Sequence, residues 1–238
     1  MEEPTTPFTV SIEGAVGVGK SRFINFLKTN REMQGVIFLD ETLEQWENFH
    51  GKNLLELFYA DPEQFAFTFQ NYALLSMMDR QFKSEKAEIR IMERSPLSSI
   101  TIFTKIMQDN GHISEVQGEI LRDWYRMLEK NKLINLKIDL HVYVKAPVNI
   151  ALDRIAFRNR TGEQHLTEQH ATQLEAAHES WLLQTDAEVF DTDLHSKVFV
   201  MNGAKTGREI TKEYLRAIEW IKLKKIQRDG QWLQQGAD

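Results

Sequence analysis

The sequence predicts an α/β fold, a five-stranded parallel sheet flanked by helices. Three observations predict it. A β-branched run, "FTVSI", passes directly into a glycine-rich loop and then into a helical pattern. Four further short apolar runs recur along the chain, with long helical patterns between them. No internal repeat or low-complexity segment interrupts the 238 residues, of which 42% are hydrophobic, so one domain with a sizeable core accounts for the chain.

The first strand begins at Phe8, after the short lead 1–7, "MEEPTTP". The loop "GAVGVGKS" that follows has the G-x-x-x-x-G-K-S spacing of a P-loop. Its backbone from Gly14 through Ala15, Val16, Gly17, Val18 and Gly19 curls so that several N–H groups point at one anion, and the next helix adds its positive N-terminal end. Lys20 would reach the outer phosphates of a nucleoside triphosphate, and the Ser21 hydroxyl would hold Mg²⁺.

The remaining strands read as Val36–Asp40, Ile89–Glu93, Asp139–Lys145 and "KVFVMN" near the end. Helices are expected over Pro62 to about Lys83 (Asp61 as N-cap, Pro62 at the first position), Ser99–Asp109, Glu115–Asn131, Pro147–Arg160, Thr167–Gln184 and Lys205–Arg228. Residues 229–238, "DGQWLQQGAD", read as a frayed tail. Ligands in such sheets bind at the carboxyl ends of the strands, where the P-loop also lies.

Composition narrows the function. With 29 basic and 35 acidic residues the net charge is −6, which argues against a broad nucleic-acid or anionic-membrane footprint. The absence of cysteine removes disulfides, Cys-ligated zinc and thiol catalysis. The lead is neither a signal nor a transit peptide and no apolar run reaches membrane-spanning length, so a cytosolic protein is expected.

Phosphoryl transfer to a hydroxyl needs positioning, charge cancellation and a base. Two strand ends offer carboxylates: Glu41 follows Val36–Asp40, and Glu93, Arg94 and Ser95 follow Ile89–Met92. Singly, a strand-end carboxylate is also an ordinary helix cap. In "DRIAFRNR", Arg154 and Arg158 share one helical face, with Arg160 at its end. Guanidinium groups there would clamp a γ-phosphate, or form a solvated basic face. Three histidines, His165, His170 and His178, are expected at helix-surface positions rather than in a metal site, and the metal expected is Mg²⁺ carried in with ATP.

The blocks "GAVGVGKS", "ETLEQW", "NLLELFYADPEQFAFTFQNYALLSMMDRQ", "ERSPLSSITIF", "DRIAFRNRTGEQ" and "AAHESWL", in this order, resemble the deoxynucleoside kinases. The resemblance covers about Phe8 to Leu183. It implies a P-loop kinase fold with an arginine-rich lid and transfer of phosphate from ATP, or another triphosphate, to the 5′-hydroxyl of a deoxynucleoside. It implies that Glu41 is the base, that Arg94 holds the 5′-oxygen, that Glu93 sits near Mg²⁺, and that Tyr59 and Glu163 grip the sugar 3′-hydroxyl, with ribonucleosides poorer substrates. Arg154, Arg158 and Arg160 match the lid arginines. The family's proline after the base is replaced here by Thr42.

Gln70, Ala73 and Met77 share one face of the long helix, and a carboxamide at Gln70 can meet the edge of cytosine or thymine. By the resemblance Phe69 stacks on the base, with Trp46, Phe58 and Phe103 as further pocket walls, although aromatics at such positions are also ordinary core. Met77 and Ser99 stand where deoxycytidine kinase has a charged pair, which leaves room for the thymine methyl, whereas Ala73 is typical of the deoxycytidine enzymes. Thymidine and deoxycytidine are therefore the expected substrates, with deoxyadenosine and deoxyguanosine weaker. The family's association implies a homodimer through the segments Ser99–Asp109 and Glu115–Asn131. A nucleoside monophosphate kinase would need cations for the acceptor's own phosphate, and a catalytically silent relative would lack some of Lys20, Ser21, Glu41, Arg94 or Arg158, all of which are present.

Overall fold

In the computed structural model the strands β1 (Phe8–Glu13), β2 (Ile37–Leu39), β3 (Ile89–Glu93), β4 (Leu140–Lys145) and β5 (Val198–Asn202) form one sheet in the order β2-β3-β1-β4-β5. Every pairing is parallel. The structure describes residues 6–82, 87–132, 134–161, 163, 166–183 and 197–235, the last five as backbone. His165 and the expected helix ends at Lys83 and Gln184 lie outside the described residues.

β1 is buried on both faces. Phe8, Val10 and Ile12 feed the core, and each of its alternating polar residues is bonded, although Oε2 of Glu13 has no partner among the described residues. The Thr9 N–H donates to Asp139 (2.8 Å), Ser11 pairs with His141 (2.7 Å), and Glu13 accepts from the Ser95 hydroxyl (2.8 Å). Ile12 pairs in register with both Glu93 and Val142, so β3 and β1 finish within one residue of each other while β4 runs on two residues past Tyr143, the partner of Glu13.

The helices are α1 (Lys20–Thr29), α2 (Leu43–Glu47), α3 (Leu54–Ala60), α4 (Pro62–Phe82), α5 (Pro96–Ser98), α6 (Lys105–Asp109), α7 (Glu115–Lys130), α8 (Val148–Arg158), α9 (Glu168–Leu183) and α10 (Gly207–Gln235). Asp61 caps α4 as expected, accepting from the Gln64 N–H at 3.1 Å. The short helices α2 and α3 are too brief to show a period in the sequence. Between α5 and α6, residues Ser99–Thr104 form a π-helical turn, so 96–109 is one helix with a widened middle.

Two expectations are corrected. The chain does not fray after Arg228: α10 continues to Gln235, with Lys225 and Arg228 both bonded to Asp229 and holding the turn together. His178 is fully buried rather than on a helix surface. Its ring stacks on Tyr143 at 6.0 Å and bonds the Leu174 carbonyl at 2.6 Å, and burial pushes its pKa down to about 3. His170 is half-buried, and burial together with the charge of His112 lowers its pKa.

Apolar packing divides into two clusters, one around the sheet and one beneath α3, α4 and α7, and Leu97 touches both.

Candidate active site

A cavity of about 500 Å³ opens at the carboxyl ends of the strands. Every residue given a catalytic, phosphate-binding, metal-binding or nucleoside-binding role from the sequence lines it except Gly14 and Ala15, at the start of the loop. Phe157, Gly203 and Tyr214 also line it, none of them marked in the sequence, as does His170, which was expected only at a helix surface.

The P-loop follows β1 without slack. Gly17 has φ +81°, and a Cβ there would lie 2.4 Å from the Ala151 carbonyl of α8, so only glycine fits. Lys20 folds over the loop and donates to the carbonyls of Gly14 (3.0 Å) and Ala15 (2.9 Å). Burial, helped by the charge of Arg94, pulls its pKa down to about 8. Arg154 bonds the Val18 carbonyl (3.0 Å) and the Gly203 carbonyl (2.9 Å), tying the loop to the end of β5.

Glu41 and Glu93 follow adjacent strands. Arg94 has a left-handed backbone, φ +56°, which turns its guanidinium onto Glu41. The guanidinium also lies over the Phe103 ring at 5.0 Å. Its Nε and Nη2 are buried with no hydrogen-bond partner among the described residues, so two donors remain for an incoming oxygen. Burial would raise the pKa of Glu41, but the charges of Arg94 and Lys20 outweigh it and hold the carboxyl below the usual range. Burial and the neighbouring Glu41 charge push Glu93 up instead. The Ser21 hydroxyl donates to Glu93 at 3.0 Å, which assembles two hard oxygen ligands beside the loop. That donor set fits Mg²⁺, which takes few protein oxygens and completes its shell with phosphates and water.

What holds these groups is a residue the sequence did not reveal. Arg80 of α4 is buried and bonds four carbonyls: Leu39 (3.3 Å) and Asp40 (2.6 Å) at the end of β2, and Glu93 (2.8 Å) and Arg94 at the end of β3. It therefore fixes the spacing of the two strand ends that carry the carboxylates. Glu13 holds the other side of the turn through the N–H (3.2 Å) and hydroxyl (2.8 Å) of Ser95. Thr42, in place of the proline, bonds Ser76 of α4 at 2.9 Å, and Trp46 Nε1 donates to the same hydroxyl at 2.9 Å. The turn after Glu41 is thereby pinned to α4.

Beyond the carboxylates, Glu163 is buried and receives two guanidinium groups, Arg158 through bonds as short as 2.6 Å and Arg160 at 3.1 Å. Burial and the charge of Glu163 push the Tyr59 phenol up to about 12, so it stays a neutral hydroxyl. Deeper in, Phe58 stacks on Phe69 (5.1 Å, 10°) and Trp46 meets Phe69 edge-on (5.5 Å, 81°). Gln70, Ala73, Met77 and Ser99 complete this end, and all are buried.

A parallel sheet in this strand order, a glycine loop feeding a helix, and carboxylates with free guanidinium donors at the neighbouring strand ends define a P-loop phosphotransferase. The chain belongs to the deoxynucleoside kinase family, whose model matches residues 10–219. It is 31% identical over 194 residues to deoxycytidine kinase of Mus musculus, covering 73% of this chain and 75% of that protein. It is 27% identical over 183 residues to mitochondrial thymidine kinase 2 of Homo sapiens, covering 77% and 67%. To mitochondrial deoxyguanosine kinase of Xenopus laevis it is 28% identical over 214 residues, covering 81% and 80%. It is thus a kinase of nucleotide salvage that phosphorylates nucleosides at the expense of a nucleoside triphosphate. Among the described residues no helix is long and apolar enough to cross a membrane.

Proposed function

We propose that the chain transfers the γ-phosphate of ATP to the 5′-hydroxyl of deoxynucleosides, with thymidine and deoxycytidine preferred over the purines. The observation that carries this is the pairing of Glu41 with Arg94, whose Nε and Nη2 have no partner among the described residues. A 5′-hydroxyl seated there donates its proton to Glu41 while its oxygen accepts from Arg94. Lys20 exchanges its loop carbonyls for the outer phosphates, and Arg158 and Arg160 leave Glu163 for the phosphates as the lid closes. Arg154 holds the loop in register for that transfer. Mg²⁺, held by Ser21 and Glu93, would cancel charge on the phosphate oxygens.

Tyr59 and Glu163 then bind the 3′-hydroxyl, one as a neutral phenol and the other as an acceptor. The wall of Trp46, Phe58, Phe69 and Phe103 encloses the base, with Gln70 on its polar edge. Pyrimidine preference is supported by the uncharged Met77 and Ser99, which leave space at the 5-position, and by the small Ala73.

We also read the enzyme as a homodimer acting on small molecules, without a nucleic-acid partner. On α7, Val116, Ile120, Trp124 and Met127 form one apolar stripe that is 70%, 43%, 50% and 40% exposed, which supports a second helix packing there. The segment 99–109 contributes little to such a face, because Ile100, Ile102, Ile106 and Met107 are used inside the chain. A cysteine-free chain suits the reducing cytosol.

The test is turnover of ATP with thymidine, deoxycytidine, deoxyadenosine, deoxyguanosine and uridine in turn, with the products identified by mass. The proposal requires 5′-monophosphates from thymidine and deoxycytidine at the highest kcat/KM. Leadership by the purines would contradict the pyrimidine reading.

A further inference from the structure

Among the described residues that line the cavity, Arg94 alone is a non-glycine with a left-handed backbone, φ +56°. An arginine does not choose that conformation, because its Cβ crowds the carbonyl that follows. Its neighbours must impose it. The φ and ψ of a residue set how its two flanking peptide planes are turned against each other, so holding both planes fixes both angles.

Both planes around Arg94 are held at all of their polar ends. In the peptide between Glu93 and Arg94, the N–H donates to the Ile12 carbonyl (3.1 Å) and the carbonyl accepts from Arg80 Nη2 (2.8 Å). In the peptide between Arg94 and Ser95, the carbonyl accepts from the same Nη2. Its N–H donates to Glu13 Oε1 (3.2 Å), a bond it shares with the Ser98 hydroxyl (3.2 Å). The Ser95 hydroxyl donates to that Oε1 as well, at 2.8 Å. One nitrogen of Arg80 thus takes two carbonyls, and two consecutive residues of β1 take the two N–H groups. Glu13 is fully buried and its Oε2 has no partner among the described residues, so its own stability explains the carboxyl poorly. Burial raises its pKa, and whether or not Oε2 carries a proton, Oε1 still accepts.

We propose that Glu13 is a positioning residue, whose Oε1 holds the peptide after Arg94 in the orientation that keeps Arg94 left-handed and its guanidinium on Glu41. The proposal rests on reading Glu41 and Arg94 as the groups that meet the 5′-hydroxyl. Glu13 does not line the cavity and acts only through Arg94. What it contributes is reach. Shortening the side chain by one methylene withdraws the oxygen by about 1.5 Å, which breaks a bond that is already 3.2 Å long. Arg94 then relaxes toward the extended region and carries its guanidinium off Glu41.

The test measures kcat for thymidine and ATP affinity on the full chain, for the wild type, Glu13→Asp and Glu13→Gln, each with and without Arg94→Asn. Asparagine removes the guanidinium but tolerates the left-handed backbone. We expect Glu13→Asp to lower kcat ~10-fold or more with ATP affinity within ~2-fold. Glu13→Gln, neutral but of the same reach, should stay within ~3-fold of the wild type. Arg94→Asn should lower kcat ~100-fold or more, and beside it Glu13→Asp should cost less than ~2-fold further, because no guanidinium is left to misplace. A Glu13→Asp enzyme more active than Glu13→Gln would overturn the proposal, since charge rather than reach would be at work. So would a ~10-fold cost that persists in full beside Arg94→Asn. An effect of Glu13→Asp confined to ATP binding would overturn it too, placing the fault in the loop that starts at Gly14. Should Glu13→Asp not fold, Ser95→Ala replaces it, removing the shorter bond to Oε1, with a ~3-fold loss of kcat that vanishes beside Arg94→Asn. Wild-type turnover in Arg94→Asn alone would instead sink the reading of Glu41 and Arg94, and the role of Glu13 with it.

Discussion

Arg94 meets the Glu41 carboxylate across the ends of two adjacent strands, in a pair whose side chains are only 7% and 9% exposed. Pairs buried this deeply lose much of their attraction to desolvation, so stability alone explains this one poorly. Its consequence is chemical: a carboxylate kept ionised stands beside a guanidinium with donors to spare. The first prediction concerns the two carboxylates as a coupled set. Burial and the Glu41 charge raise Glu93, so as the pH falls Glu93 protonates before Glu41 does. Glu41→Gln removes that charge and should lower the Glu93 pKa, as followed by carboxylate NMR. An unchanged Glu93 titration would show that the two do not communicate.

Lys20 carries the second prediction. Its pKa of about 8 in the free enzyme means that the ammonium loses its proton as the pH rises through 8, well before an ordinary lysine does. Phosphates favour the charged form, so binding of a nucleoside triphosphate at pH 9 should take up a proton. Calorimetry in two buffers of different ionisation enthalpy measures it directly. Uptake should vanish at pH 6.5, where Lys20 is already charged, and in Lys20→Met at either pH.

Arg80 gives the third. Lysine keeps the charge but cannot reach four carbonyls on two strands. Arg80→Lys should lower kcat about 10-fold or more while the nucleoside KM stays within about twofold, because the strand ends that aim Glu41 and Arg94 lose their spacer. The carbonyls left without donors should also cost about 1–3 kcal/mol in urea unfolding. A loss of stability with unchanged kcat would reduce Arg80 to a core residue.

Tyr59→Phe supplies the fourth. The phenol is neutral at working pH, so its removal should act through one hydrogen bond. We expect KM for thymidine to rise about 10-fold with kcat nearly unchanged. A matching fall in kcat would place Tyr59 at the phosphate end instead.

Much of this site was legible because its chemistry lies in contiguous words: the loop from Gly14 to Ser21, the strand ends at Glu41 and Glu93, and the face Gln70–Ala73–Met77. What escaped depends on contacts between segments far apart in sequence. Arg80 reads as one charge on a long helix until β2 and β3 are brought beneath it. Thr104 is five residues from Ser99, a spacing with no meaning at helical period 3.6, and only the π-turn joins them. His178 could have been recovered, since Ala171, Leu174, His178 and Trp181 keep the spacing of a buried helical face. The end of α10 was misread because Gly230 and the polar residues around it look like punctuation.

The most direct measurement is kcat for thymidine in the wild type and in Glu41→Gln, with ATP binding measured on both. The account predicts ATP affinity within about threefold and a loss of kcat of ~100-fold or more, because only the base has been removed. A Glu41→Gln enzyme that binds ATP and turns over thymidine at the wild-type rate would contradict it.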